Sequence, residues 1–162
     1  MLLMDVDGVL TDGSLPFDSE GREFKVFSAH DGLGISIWNR LGLSTGIITA
    51  RKSTVVDVRA RDLRIDEVHQ GAKDKRVVYE EIKARLEITD REIAYIGDDL
   101  ADLSVMRHVG VAIAPANAVN EIKEIAHLVT EARGGCGAVR EAIEVILKAR
   151  GLWDKGIERF TR

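Results

Sequence analysis

Asp5 and Asp7 stand one residue apart in the stretch LLMDVDGVLTDG, residues 2–13, directly after a short apolar run. Two carboxylates about 4 Å apart repel by roughly 4 kcal/mol at an effective dielectric of about 20, a large share of a small domain's stability. Positive charge must therefore hold them. Three further stretches carry matching chemistry: TGIIT ends in the hydroxyl of Thr49, QGAKDK in the ammonium of Lys75, and IAYIGDDLAD contains Asp98, Asp99 and Asp102. Hard carboxylate oxygens without neighbouring thiolates or imidazoles select Mg²⁺ over zinc. A divalent cation beside Lys75, Thr49 and the backbone N–H groups of the Gly8 turn makes a seat for phosphoryl oxygens, the arrangement that phosphoryl transfer needs.

The D-x-D spacing has its own reason. Side chains alternate along a strand, and a glycine turn at Gly8 lets the second carboxylate swing across the reacting group. Asp5 can then attack phosphorus while Asp7 protonates the leaving oxygen and later deprotonates water. Each piece alone has a plain reading: D-x-D-G also marks turns and calcium-type loops, and GDD also opens helices, where the dipole favours Asp99 and Asp102. Arg51 and Lys52 similarly suit a solvated helix start. The catalytic reading rests on the four pieces falling in order at successive strand ends.

The elements that must position these groups follow from hydrophobic pattern. Apolar or β-branched runs at residues 2–6, 45–49, 93–96, 109–113 and 128–130 read as strands. Between them, Leu33, Ile37 and Leu41, then Val56, Ala60 and Leu63, then Val78, Ile82 and Leu86 follow helical spacing, and Val139, Ala142, Ile143 and Ile146 mark a closing amphipathic helix. The alternation predicts an α/β, three-layer Rossmann-like fold with a mainly parallel central sheet built from right-handed crossovers. Ligands bind such a sheet outside the carboxyl ends of its strands, where Asp5, Asp7, Thr49 and Asp98 all fall. Residues 14–27, with Pro16, a Ser-Glu-Gly turn and alternating Phe24 and Val26, read as a β-hairpin inserted after the first strand. The expected layout is one domain over residues 1–150, without a cap domain, and a carboxyl-terminal tail at 151–162. The glycines of RGGCGA, residues 133–138, suit a tight backbone path into the last helix.

Composition narrows the function further. The 162 residues carry a formal net charge of -4, which argues against nucleic acid or an anionic membrane as partner. No run approaches the ~20 apolar residues of a membrane span, and no basic leader precedes an apolar segment. A single cysteine, Cys136, excludes an internal disulfide, so a reducing, cytoplasmic setting is expected. The four histidines are dispersed, without zinc-type spacing.

DVDGVLTDG (5–13), IITAR (47–51), QGAKDK (70–75) and IGDDLAD (96–102) resemble the four motifs of the haloacid dehalogenase superfamily. FSAHDGLG (27–34) and RGGCGAVRE (133–141) resemble its capless branch that hydrolyses 3-deoxy-D-manno-octulosonate 8-phosphate in lipopolysaccharide precursor synthesis. The resemblance spans nearly the whole chain. It implies Asp5 as nucleophile and Mg²⁺ ligand, Asp7 as acid/base and ligand through its carbonyl, and Asp98 as the remaining ligand. Thr49 and Lys75 would hold the phosphoryl group. Ser28, Ala29, His30, Asp31 and Gly32, with Arg51 and Arg59, would contact the sugar acid, whose carboxylate suits a guanidinium fork. The resemblance also implies a homotetramer formed through the hairpin, with a neighbour's tail closing each site. Trp153 and Phe160 would serve that role or anchor the tail on its own subunit.

Within the same chemistry, a phosphatase of N-acylneuraminate 9-phosphate or another small phosphorylated sugar is the nearest alternative. A phospho-receiver domain uses similar groups, but the D-x-D on the first strand favours a hydrolase. A non-catalytic assembly module would not need the full set of acidic, hydroxyl and lysine residues.

Overall fold

The computed structural model describes residues 1–161. Six strands form one parallel sheet: β1 (Leu2–Met4), β2 (Thr45–Thr49), β3 (Glu67–Gln70), β4 (Ala94–Ile96), β5 (Val111–Ala114) and β6 (Leu128–Val129), in the spatial order β3-β2-β1-β4-β5-β6. The order reverses at β1, so the chain leaves a crevice beside the carboxyl end of this central strand. Register sets the level of that crevice, because Met4 lies opposite both Ile47 and Ile96. Asp5, Thr49 and Asp98 therefore emerge within a residue or two of their strands' ends along one edge.

Alternation along the strands builds two cores. Leu2 and Met4 with Ile47, Ile96 and Ile113 face α1 (Ala29–Arg40), α2 (Thr54–Leu63) and α6 (Ala138–Ala149); Leu3, Ile48, Tyr95 and Ala112 face α3 (Lys75–Leu86), α4 (Leu103–Met106) and α5 (Asn120–Ile125). Each fully buried aliphatic side chain contributes about 1.5–3 kcal/mol. This gives the three layers expected from the sequence.

In two helices the apolar spacing caught only part of the buried face: Ile37 and Leu41, and Val78 and Ile82, do pack inward. In α1, Leu33 is exposed while Asp31, Gly34, Ile35 and Trp38 turn inward; a Cβ at Gly34 would stand 3.2 Å from the Arg140 Cα, so α1 and α6 meet where the side chain is absent. In α3, Lys75 and Tyr79 join Ile82 on the buried face, and Leu86 stays outside. A count of apolar residues cannot register a glycine contact or a buried lysine. Strand β3 was also unannounced, because EVHQ lies at the sheet edge with every side chain at least partly exposed.

Residues 14–27 form a minimal hairpin closed by one antiparallel bridge, Phe17 to Glu23. Its outward side is the apolar one: Phe24 and Val26 are 54% and 76% exposed, whereas the Lys25 side chain is 1% exposed. Among the described residues no cap domain interrupts the sheet. After Gly151 the chain forms α7 (Trp153–Ile157), whose Trp153 and Ile157, with Leu152, pack against the core beneath α1 and α6. Arg140 and Lys148 lie over the Trp153 ring at 5.2 and 5.4 Å. These side chains pack within this chain; Arg162, the last residue of the expected tail, lies outside the described residues. No described helix is long and apolar enough to cross a membrane.

Candidate active site

Asp5 follows β1 directly. Its backbone N–H still donates to the Ile96 carbonyl at 3.0 Å, and its Oδ1 accepts from the Val6 N–H at 2.7 Å. Lys75 approaches from the first turn of α3, which starts there because the Asp74 side chain caps it by accepting from the Arg76 N–H. The Lys75 ammonium lies 2.8 Å from Asp5 Oδ2 and 2.7 Å from Asp102 Oδ1, with its side chain only 2% exposed. Burial pulls an ammonium toward neutrality, but here Asp5 and Asp102 outweigh it and hold the Lys75 pKa above its ordinary value.

Asp102 has no carboxylate capacity to spare. Its Oδ1 also accepts the Tyr95 hydroxyl at 2.7 Å, and its Oδ2 accepts the N–H groups of Asp98 and Asp99 at 3.0 and 3.3 Å. It thus ties Lys75 to the loop bearing Asp98. A Cβ at Gly97 would meet the Asp102 carboxylate, so the loop passes this close only as glycine.

Asp98 faces the opposite wall. Gly8 has φ of +92°, and a Cβ there would fall 1.9 Å from Asp98 Oδ2. Asn117 fixes this turn, its Nδ2 donating to the Gly8 carbonyl at 2.9 Å while its Oδ1 accepts the Gly134 N–H at 2.6 Å. Gly134 and Gly135 press directly on residues 8–12, which is the close backbone path that RGGCGA suggested.

Oxygens of Asp5, Asp98 and Asp102 lie within 4.8 Å of one another, and the buried Asp98 Oδ1 has no hydrogen-bond partner among the described residues. Burial, reinforced by Asp102, raises the Asp5 pKa to about 6; burial with the charges of Asp5, Asp102 and Asp99 raises that of Asp98 to about 7. Three carboxylates against one ammonium, with an orphaned buried oxygen, fit a hard divalent cation. Thr49, 3% exposed, closes β2 beside this cluster.

Asp7 belongs to a separate network. Its Oδ1 receives the Lys25 ammonium and its Oδ2 lies 3.6 Å from Arg51 Nε. Both cations also reach Glu23 Oε1, Lys25 at 3.3 Å and Arg51 at 3.0 Å. The expectation that Asp5 and Asp7 repel one another directly is thus replaced by two independently neutralised carboxylates.

The loop leading into α1 is more structural than the sequence suggested. Ser28 caps α1 by accepting from the Asp31 N–H at 3.3 Å. Asp31, 2% exposed, accepts the N–H groups of Arg140 at 2.8 Å and Gly137 at 3.3 Å, at the start of α6. Ala29 and His30 are exposed. Arg59 donates to the Ser28 carbonyl at 3.3 Å and to Asp62 at 2.8 Å, and lies over the Phe27 ring; a Cβ on Gly32 would clash with it. Arg51 is 42% exposed at the rim.

Sequence reasoning missed Lys25, Tyr95 and Asn117 as parts of the site and left Asp102 as a helix-start carboxylate. Asp102 had a usable signal, four residues after Asp98 in the same acidic motif. Tyr95 had one too, a polar-tipped aromatic inside a buried strand whose hydroxyl requires a partner. Lys25 and Asn117 had none, since their partners Asp7 and Gly8 lie 18 and 109 residues away.

Residues 49–143 match the model of the haloacid dehalogenase-like hydrolases. Over 150 residues the chain is 41% identical to the 3-deoxy-D-manno-octulosonate 8-phosphate phosphatase of Yersinia pestis, covering 93% of this chain and 80% of that protein. The phosphatase of the same name from Escherichia coli K12 is 38% identical over 155 residues, 96% of this chain and 82% of its own. A Moraxella catarrhalis 3-deoxy-D-manno-octulosonate 8-phosphate phosphatase, solved with a magnesium ion, a phosphate ion and a KDO molecule, superposes with a TM-score of 0.95 at 41% identity, covering 98% of this chain and 91% of that one. Acidic cluster, lysine and parallel sheet occur here in the order that the four motifs require, and the chain belongs to the haloacid dehalogenase-like hydrolases.

Proposed function

We propose that this chain is an Mg²⁺-dependent phosphoric monoester hydrolase that releases phosphate from 3-deoxy-D-manno-octulosonate 8-phosphate, in lipopolysaccharide precursor synthesis. The observation that carries the chemistry is the Asp5–Lys75–Asp102 bridge facing the orphaned Asp98 Oδ1 across the Gly8 turn. The identity to phosphatases of that sugar acid, over more than four-fifths of the Escherichia coli protein, supports the substrate.

Asp5, Asp98 and the main-chain carbonyl of Asp7 would hold the cation, since the Asp102 oxygens are already engaged. A divalent cation held there would offset the carboxylate charge and supply Lewis-acid polarisation of the phosphoryl group. Asp5 attacks phosphorus, and its carboxylate becomes an acyl phosphate as the bond to the sugar oxygen breaks. Asp7 gives its proton to that oxygen, then takes one from the water that hydrolyses the acyl phosphate and frees Asp5. Lys75 holds Asp5 Oδ2 in place and, with Thr49, offsets charge on the phosphoryl group. Arg51 at the rim is available to pair with the sugar carboxylate, helped by Ser28, Ala29, His30, Gly32 and Arg59, while Asp31 is engaged by the start of α6.

The exposed Leu15, Phe17, Phe24 and Val26 of the hairpin support its use as a contact in a homotetramer, because large apolar side chains gathered on one short segment gain from being covered. A cytoplasmic setting accords with the single exposed cysteine.

Phosphate release from 3-deoxy-D-manno-octulosonate 8-phosphate and from N-acylneuraminate 9-phosphate, each with Mg²⁺ and with chelator, tests the reading. Metal-dependent turnover that favours the octulosonate supports it. Preference for the neuraminate ester would move the substrate and keep the chemistry; no release from either would overturn the proposal.

A further inference from the structure

Lys25 is an anomaly of the hairpin. A strand pattern Phe-Lys-Val normally buries its apolar members, yet here Phe24 and Val26 face solvent and the lysine side chain is 1% exposed. Withdrawing an ammonium from water is costly unless opposite charge meets it, and the charges that meet this one are Asp7 and Glu23. The hairpin has therefore been folded around an ion pair with Asp7, at the expense of its own apolar side chains.

Geometry gives the pair a direction. Asp7 Oδ1 is held by Lys25 and Asp7 Oδ2 faces Arg51, so its two oxygens are fixed from different elements. Arg51 is 42% exposed and can turn toward a ligand, whereas Lys25 is enclosed and has no open side from which a ligand could reach it. Glu23 ties both cations to the same hairpin, closing a ring of four charges. A carboxyl group that moves a proton works only within a few tenths of an ångström and some 10–20° of its productive geometry. The residue able to impose that on Asp7, whatever Arg51 does, is Lys25.

We propose that Lys25 is a positioning residue that holds Asp7 for proton transfer to the leaving oxygen. The proposal rests on the reading of Asp7 as the proton carrier. In the step concerned, the bond from Asp5 to phosphorus forms and the bond from phosphorus to the sugar oxygen breaks. The released electron pair on that oxygen takes a proton that Asp7 carries on Oδ2 from the hydrolytic water of the preceding turnover, once Arg51 has turned to the substrate, and the carboxylate left behind stays paired with the Lys25 ammonium. Docking of the hairpin is thereby linked to the chemistry, because moving the hairpin moves Lys25.

Leaving-group dependence tests this, as a nitrophenolate departs without a proton and an alkoxide does not. In the Mg²⁺-loaded enzyme, Lys25→Met is expected to lower kcat/KM for 3-deoxy-D-manno-octulosonate 8-phosphate by about 30-fold or more and that for p-nitrophenyl phosphate by less than about threefold, with Lys25→Arg restoring part of the loss. Glu23→Gln, which keeps Lys25 but loosens its second anchor, should show a smaller loss with the same ester preference. It decides the matter if Lys25→Met does not fold. Equal loss on both esters overturns the proposal, as does a higher KM at unchanged kcat, which would mean that Lys25 touches substrate. Asp7→Asn, measured alongside, separates the two levels. If it discriminates between the esters while the Lys25 variants do not, only the role of Lys25 fails. If it does not discriminate, the reading of Asp7 fails and the proposal with it.

Discussion

Asp102 receives the Lys75 ammonium at 2.7 Å, in an ion pair whose two side chains are 0% and 2% exposed. Such a pair contributes little net stability while intact, yet breaking it strands a buried charge. Asp102→Asn is therefore expected to lower unfolding free energy by about 3 kcal/mol, visible as a shift of the urea midpoint, and to reduce turnover by about 100-fold as Lys75 drifts from Asp5. A midpoint within about 0.5 kcal/mol of the parent would show that the pair is not buried in solution.

Without a divalent cation, the acidic cluster ties stability to pH. The folded-state values of about 6 for Asp5 and about 7 for Asp98 lie above the ordinary 3.8, raised chiefly by burial and then by neighbouring carboxylates. The folded protein then binds more protons than the unfolded chain between pH 4 and 7. The stability linked to these groups is fully present below about pH 4 and is lost as pH rises through 6 and 7. In chelator the melting temperature should fall from pH 5 to pH 8, and millimolar Mg²⁺ should restore it at pH 8 while changing little at pH 5. A melting temperature that rises over this range in chelator would contradict the cluster.

Gly8 separates two effects that usually travel together. Gly8→Ala meets both an unfavourable φ of +92° and a Cβ position 1.9 Å from Asp98 Oδ2, whereas Gly42→Ala meets φ of +76° with nothing within 4 Å. Left-handed strain alone costs about 1–2 kcal/mol. Both variants should lose that much by urea denaturation. Only Gly8→Ala should also lose Mg²⁺ affinity and turnover, by about 100-fold, because it pushes Asp98 aside. Equal activity in the two variants would place the clash elsewhere.

The contrast between what the sequence announces and what it conceals follows the range of the interactions. Asp5, Thr49 and Asp98 were legible because each closes or follows an apolar strand, and the switch-point rule then brings the ends of β1, β2 and β4 together. Lys25 went unnoticed because period-two patterning weighs apolar positions, whereas here an ion pair with Asp7 outweighs exposure of Phe24 and Val26. The inward face of α1 was only partly legible, through Ile37 and Leu41, for a related reason. Its contacts are made by Gly34, which offers closeness, and Asp31, which offers hydrogen bonds, and neither registers as hydrophobic.

Asp31 offers the sharpest division between a role inferred from resemblance and one inferred from geometry. Residues 28–32 resemble a sugar-contacting segment, but they form the cap and first turn of α1, and the Asp31 carboxylate accepts the Arg140 and Gly137 N–H groups that open α6. A carboxylate there satisfies donors that the helix leaves unpaired and faces the positive end of its dipole. Removing it strands those N–H groups between packed helices. Asp31→Ala should therefore cost about 2–3 kcal/mol in urea denaturation while leaving KM for the sugar phosphate within about twofold of the parent. Unchanged stability with a tenfold higher KM would instead mean that Asp31 turns outward to meet the substrate.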